Sequence, residues 1–94
     1  QASQRTLNLV TFFTIAGGRE VRAWSAVLGT KAGEAARMIH SDMARGFIRA
    51  EIVGWEALVE AGSAAKAREA GSVRAEGRDY PIQDGDVLEI RFRS

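Results

Sequence analysis

Ninety-four residues, 46% of them hydrophobic and 27% charged, suffice for one small domain with a modest core and are too few to enclose a large organic cofactor. Thirteen basic against twelve acidic residues leave a formal net charge of +1, which excludes a strongly basic nucleic-acid arm and an acidic tail. The chain has no cysteine and a single histidine, His40, so disulfides, thiolate metal sites, iron–sulfur ligation, cysteine nucleophiles and a histidine-rich metal site are excluded together.

In chain order, residues 1–6 have no basic n-region, apolar stretch or small-residue cleavage site, so no signal peptide is expected. They begin without Met and read as disordered or as a linker remnant of a longer protein, ahead of a domain over 7–94. Leu7 to Ile15 (LNLVTFFTI) is rich in β-branched and aromatic residues and stops at Gly17-Gly18, a pair able to supply positive φ. With Val21 to Trp24 this predicts an opening β-hairpin, in which Leu7, Leu9, Thr11 and Phe13 share one face and Asn8, Val10, Phe12 and Thr14 the other.

From Thr30 the period changes. Ala32, Ala36, Ile39, Met43 and Phe47 recur at helical spacing, while Lys31, Glu34, Arg37 and Arg45 fall outside that stripe. One amphipathic helix is predicted, capped by Thr30 and ended by a left-handed Gly46. Phe47 to Trp55 alternates Ile48, Ala50 and Ile52 with Arg49, Glu51 and Val53, as a strand with one buried face does. Glu56 to Ala70 reads as two short helices broken at Gly62-Ser63, with Ser63 capping the second and Gly71 closing the region. A polar segment at Val73 to Glu76, a turn at Gly77 and a brief strand near Asp79 to Ile82 follow. After Asp84-Gly85-Asp86 the last strand turns Leu88, Ile90 and Phe92 inward and Glu89, Arg91 and Arg93 outward. There is no internal repeat. The order strand, strand, helix, strand, short strand, strand predicts an α+β roll, a mixed sheet crossed by one main helix, which is the order of a β-grasp, or ubiquitin-like, fold.

The residues offer little catalytic chemistry. A P-loop needs a glycine-rich turn followed by Lys and a hydroxyl; Gly29-Thr30-Lys31 has those letters in the wrong order, and Gly17-Gly18 lies within a hairpin. No nucleotide hydrolysis by this chain, no catalytic residue, no bound cofactor and no metal are expected. His40 and Asp42, two apart on a helix, do not face each other as an acid–base pair, and His40 at the stripe's edge reads first as a partly buried histidine held by a neighbouring carbonyl or carboxylate. Asp84 and Asp86 flank a glycine as turn-forming residues do.

Phe12, Trp24 and Trp55, near Arg22, Arg45 and Arg49, supply rings and guanidinium groups able to stack on unpaired bases and pair with phosphates. The plainer reading makes the rings core and the alternating Arg49 and Glu51 a solvated face. All basic residues but Lys31 and Lys66 are Arg, which suits bidentate phosphate or carboxylate contacts, although the Ala and Gly richness lets genome composition account for it. A ubiquitin-like carrier would need a terminal Gly-Gly; this sequence ends Phe92-Arg93-Ser94, so a binding or regulatory module is expected instead.

Four motifs, FFTIAGGREVRAW (Phe12 to Trp24), IHSD (Ile39 to Asp42), RGFIRAEI (Arg45 to Ile52) and DYPIQDGDVLEIRF (Asp79 to Phe92), together resemble the C-terminal TGS domain of the YchF, or Obg-like, ATPases over Leu7 to Phe92. The resemblance implies a β-grasp TGS domain, a parent with a P-loop domain carrying an inserted coiled coil, and ATP or GTP with Mg2+ bound in that other part. It implies a cytoplasmic, membrane-free parent that associates with ribosomes or RNA. Redox control ascribed to some relatives has no cysteine to use here. Arg22, Trp24, Arg45 and Arg49, with His40 at the margin, are the candidate RNA or ribosome contacts. The alternative is a regulatory domain that packs on its own nucleotide-binding domain without touching RNA; a monomer is expected either way. Gly33, Arg37, Ala44 and Pro81 depart from the pattern, and Pro81 is tolerable only where no ladder donor is needed.

Overall fold

A computed structural model describes residues 8–16 and 20–93. Among them the chain forms β1 (Leu9–Ala16), β2 (Glu20–Val27), α1 (Ala32–Ile39), α2 (Ser41–Arg45), β3 (Phe47–Gly54), α3 (Trp55–Ala61), α4 (Ala64–Glu69), β4 (Arg74–Glu76) and β5 (Asp86–Phe92). The strands make one mixed sheet in the order β2-β1-β5-β3-β4, with β1 parallel to β5 and the other pairs antiparallel. The α+β expectation of a mixed sheet therefore holds. The linker reading of residues 1–6 and the Gly17-Gly18 turn lie outside the described residues.

The hairpin forms because β-branched and aromatic residues alternate on both arms, and its second arm runs further than the predicted Val21 to Trp24, with Leu9 opposite Val27 and Ala16 opposite Glu20. Val10 and Phe12 point to the main core, where Phe12, Ile52, Ile82 and Leu88 are fully buried against Ala32 and Ala35 of α1. The opposite face of the sheet is also covered: α3 and α4 fold back over it, and Val53, Ala67 and Val87 form a second cluster with Phe13 and Ile15. That layer explains why Val53, assigned to an outward face by alternation, is 4% exposed.

The single helix predicted from Thr30 to Gly46 is two. His40 is extended (φ −167°, ψ 138°), so the chain leaves α1 at Ile39 and starts α2 at Ser41. The break satisfies backbone groups at once: the Asp42 N–H donates to His40 Nδ1 at 3.0 Å, an end-capping bond that an uninterrupted helix would not make. Thr30 is not the N-cap of α1; its hydroxyl donates to Val27 O at 2.7 Å across the turn at Gly29 (φ 98°), and Lys31 takes the cap position. Gly46 is not left-handed (φ −97°), and its reason for being glycine is steric, since a Cβ there would run into the Arg93 carbonyl.

A register shift between Phe47 and Arg49 turns Ile48 outward to 52% exposure, against its predicted burial. The two short helices appear as predicted, with Ser63 Oγ accepting from Lys66 N and Gly62 left-handed at the end of α3. The short strand falls at Arg74–Glu76, pairing with β3, and not at Asp79 to Ile82, where only a Lys31–Pro81 bridge forms. That bridge is held by Ala32 N to Tyr80 O and Ile82 N to Thr30 O, so Pro81 is asked for no donor. On β5, Leu88 is buried and Ile90 half-buried, while Phe92 reaches 37% exposure at the strand end.

Candidate functional site

Three surfaces gather the charged and aromatic residues. The first is a cleft of about 530 Å³ between the hairpin, the helix pair and β5, lined by Arg22, Trp24, Ile39, Met43, Ile90 and Phe92 among others. Beside it β1 and β5 pair at Phe13–Val87 and Thr14–Leu88. Trp24 stacks beside Phe12 at 6.5 Å and donates its indole N–H to Thr14 Oγ1 at 2.9 Å, so the ring is held in one orientation. Arg22 shares its face of β2, two residues away, and its guanidinium lies 6.0 Å from the Trp24 ring. Arg22 is exposed and in no ion pair among the described residues.

The second surface is a groove of about 500 Å³ along the other flank of α1 and α2, reached by the loop before β5. Lys31, Arg37, Arg45 and Arg78 line it against Glu34 and Asp79. Gly33 N donates to Arg78 O at 3.0 Å, and a Cβ on Gly33 would press on the Arg78 side chain, so glycine lets that loop lie against the first helical turn. Gly33, Arg37 and Ala44 all line this groove.

The third surface is on the far face of the sheet. Glu51, its side chain 12% exposed, is surrounded by Arg49, Arg68 and Arg91, and Arg68 and Arg91 also reach Glu89. Desolvation pushes the Glu51 carboxyl up, but the hydrogen bonds from Arg68, Arg91 and Arg49 outweigh it and hold the group below the usual carboxylate range. The bond and charge of Glu51 in turn hold Arg68 further into its cationic form.

The five residues singled out from the sequence do not form one patch. Arg22 and Trp24 are together at the cleft; Arg49 is across the sheet, paired with Glu51 at 3.1 Å. Arg45 is exposed at the end of α2, 3.3 Å from Asp42, and borders the groove. His40 joins the two helices and is exposed rather than partly buried; because the chain is extended there, its Nδ1 accepts from the Asp42 backbone and lies 3.7 Å from the Asp42 carboxylate, which the single-helix reading places out of reach. Sequence reading passed over Lys31, Arg37 and Arg78 as binding residues. The first two stood out as the polar flank of the helical stripe, but nothing local brings Arg78 to them. Asp84 Oδ1 accepts from Thr11 N, and Asp86 Oδ2 from Tyr80 Oη and Gln83 N, as turn-holding carboxylates.

Fold and surfaces define a small α+β module whose described chemistry is all on the outside. The family model YchF-GTPase_C, described as a protein of unknown function (DUF933), matches residues 9–93, and the chain belongs to that family. It is 55% identical over 92 residues to the ribosome-binding ATPase YchF of Bacillus subtilis and 48% identical to that of Haemophilus ducreyi, in each case covering 98% of this chain and 25% of the relative. The chain thus spans about a quarter of the length of these curated relatives. The structure of the Schizosaccharomyces pombe YchF GTPase superposes with a TM-score of 0.78 at 34% identity, over 89% of this chain and 22% of that one. A GTP-binding protein from Pyrococcus horikoshii shares the fold, with a TM-score of 0.62 at 20% identity over 93% of this chain and 22% of its own.

Proposed function

We propose that this chain is the C-terminal TGS-type, β-grasp module of a longer YchF-type ATPase and that it contacts the ribosome or its RNA. The observation carrying this reading is the 55% identity, over nearly the whole chain, to a relative named as a ribosome-binding ATPase. The sheet order β2-β1-β5-β3-β4, with β1 and β5 parallel and the helix pair on one face, supports the β-grasp assignment. An exposed Arg22 over an oriented Trp24, at the mouth of a cleft, is an arrangement that takes an unpaired base and its phosphate. Nucleotide and Mg2+ belong to the remainder of the parent, whose compartment is the cytoplasm. No helix among the described residues is long and apolar enough to cross a membrane.

Co-sedimentation of the chain with ribosomes at low and moderate salt tests the reading. The wild type pellets at low salt and is released as salt rises, and Arg22→Glu pellets less. Failure of the wild type to pellet at low salt overturns it.

A second reading is supported by the outer face of the hairpin, where the cross-strand pairs Leu9–Val27, Thr11–Ser25, Phe13–Ala23 and Ile15–Val21 carry no charge. Leu9, Val21 and Val27 are exposed, with Trp55 and Val59 of α3 beyond them. Such a face suits packing on the parent's own nucleotide-binding domain. On that reading Val21→Asp in the full-length parent changes ATP turnover and leaves ribosome association intact; unchanged turnover rules it out.

A further inference from the structure

We infer that the groove between α1, α2 and the loop before β5 is an RNA-backbone site in which Lys31, Arg37 and Arg78 contact successive phosphates. The inference rests on the proposed ribosome or RNA contact and adds to the Arg22–Trp24 cleft a second surface, whose cations, Arg45 apart, the sequence did not single out.

Three observations carry it. The first is the contrast in how the arginines are occupied. On the far face Arg49, Arg68 and Arg91 are held by Glu51 and Glu89, and Arg74 pairs with Glu76 at 3.4 Å, so each of those guanidinium groups has a carboxylate partner within the fold. Lys31, Arg37 and Arg78 form no ion pair among the described residues, although each lines the same groove. Leaving cations clustered and uncompensated destabilises a fold through mutual repulsion, and an external polyanion relieves that repulsion.

The second is preorganisation. The Arg78 guanidinium lies 5.5 Å from the Phe47 ring, and its backbone carbonyl is tied to Gly33 N. The ring restrains the side chain while leaving the N–H edges of the guanidinium without a carboxylate, which is the state a phosphate contact needs.

The third is that the carboxylates lining the groove do not cancel the cations. Glu34 Oε1 is engaged by the Lys31 backbone N–H at 2.9 Å, and with Arg45 paired to Asp42 the other three cations, Lys31, Arg37 and Arg78, face two acids, Glu34 and Asp79. The charge comes from side chains on separate elements and not from the start of α1, whose first amides already donate to Tyr80 O and Arg78 O. Beyond Arg45 the surface continues into a smaller recess lined by Asp42, Gly46 and Arg93, where Arg93 adds one more cation at the end of β5. An extended, open groove of this kind fits a phosphodiester chain rather than a single small anion.

The test is fluorescence anisotropy with a labelled single-stranded RNA of about twelve nucleotides, run beside ribosome co-sedimentation on the same proteins. Arg37 is exposed and free of ion pairs, so Arg37→Glu keeps the fold, as thermal melting checks; Arg37→Glu with Lys31→Glu is the stronger variant. Wild type is expected to bind with a log K against log salt slope of about −2, and the double variant to lose about tenfold in affinity and most of that slope. Binding by the double variant within about twofold of wild type overturns the inference. So does equal affinity of the wild type for a polyglutamate of matched charge, which would make the groove an acidic-protein surface. If wild type pellets with ribosomes but does not bind RNA, the groove assignment fails and the proposed ribosome contact stands. If RNA binds and the groove variants lose it while ribosomes do not pellet the wild type, the groove assignment stands and the ribosome contact fails.

Discussion

Gly46 and Arg93 meet backbone to backbone: the Arg93 N–H donates to Gly46 O at 2.9 Å, and a Cβ on Gly46 would run into the Arg93 carbonyl. Gly46 ends α2 and Arg93 follows β5, so this approach seals the helix pair onto the end of the sheet. Gly46 has a negative φ, at which alanine costs nothing in conformation and would even reduce unfolded-state entropy. The close approach reverses that sign. Gly46→Ala is expected to destabilise the domain by about 2 kcal/mol, measured by urea unfolding, because the strand end must move. A neutral or stabilising result would mean that Arg93 is not held there.

Glu51 makes a different prediction, one that depends on pH. Its folded carboxyl lies below the ordinary 4.5, so the stability it contributes is present above that value and is lost as pH falls through the folded value. Glu51→Gln should flatten the acid limb of the stability curve, and Glu51→Ala should cost about 2 kcal/mol at neutral pH by leaving three guanidinium groups facing one another. Denaturant melts across the acid range check both. An unchanged acid limb in the glutamine variant would place the pH dependence elsewhere.

The elements that could be read from the sequence are those whose signal is local. Alternation in the hairpin, the apolar stripe of α1 and the Ser63 cap each depend on neighbours within a few residues, and each is found where expected. What escaped depends on distant parts of the chain. The stripe from Ala32 to Met43 keeps its helical period across His40, so the break is invisible until the chain turns there to lay α2 along β5. Strand β4 is polar and three residues long, and only its pairing with β3 makes it a strand. The candidate contacts divide in the same way. Arg22 and Trp24 were legible as a pair because i and i+2 on a strand share a face. Arg49 reads as free until Arg68 and Arg91, far along the sequence, converge with it on Glu51.

Tyr80 sets an alkaline limit. Its hydroxyl donates to the buried Asp86 at 2.7 Å and accepts from Arg74 Nη2 at 2.7 Å, bracing the loop that carries Arg78 and Asp79. Burial and then the Asp86 bond and charge push the phenol up from 10.0 to about 12. A raised value in the folded state means that the neutral phenol is favoured there. Its contribution is therefore complete below pH 10 and is lost as pH rises through about 12. Tyr80→Phe should cost about 1–2 kcal/mol at neutral pH, since Asp86 loses a donor, and should remove the alkaline fall. Absorbance titration of this lone tyrosine, beside urea melts from neutral to high pH, reads both.

His40 tests whether the helix break is a property of its side chain or of the fold around it. Its Nδ1 accepts from the Asp42 N–H, doing for α2 what a serine or asparagine does at an ordinary helix start. The imidazole is mostly exposed, so little packing is at stake, and the capping bond accounts for most of what a substitution changes. His40→Ala should cost about 1 kcal/mol, and His40→Asn, which can accept the same bond, should recover most of it. Asparagine restores the acceptor that alanine lacks, so their separation in urea midpoint reports the cap. If alanine and asparagine fall together, the extended backbone at residue 40 is imposed by the packing of α1 and α2 on the sheet, and the imidazole merely occupies it.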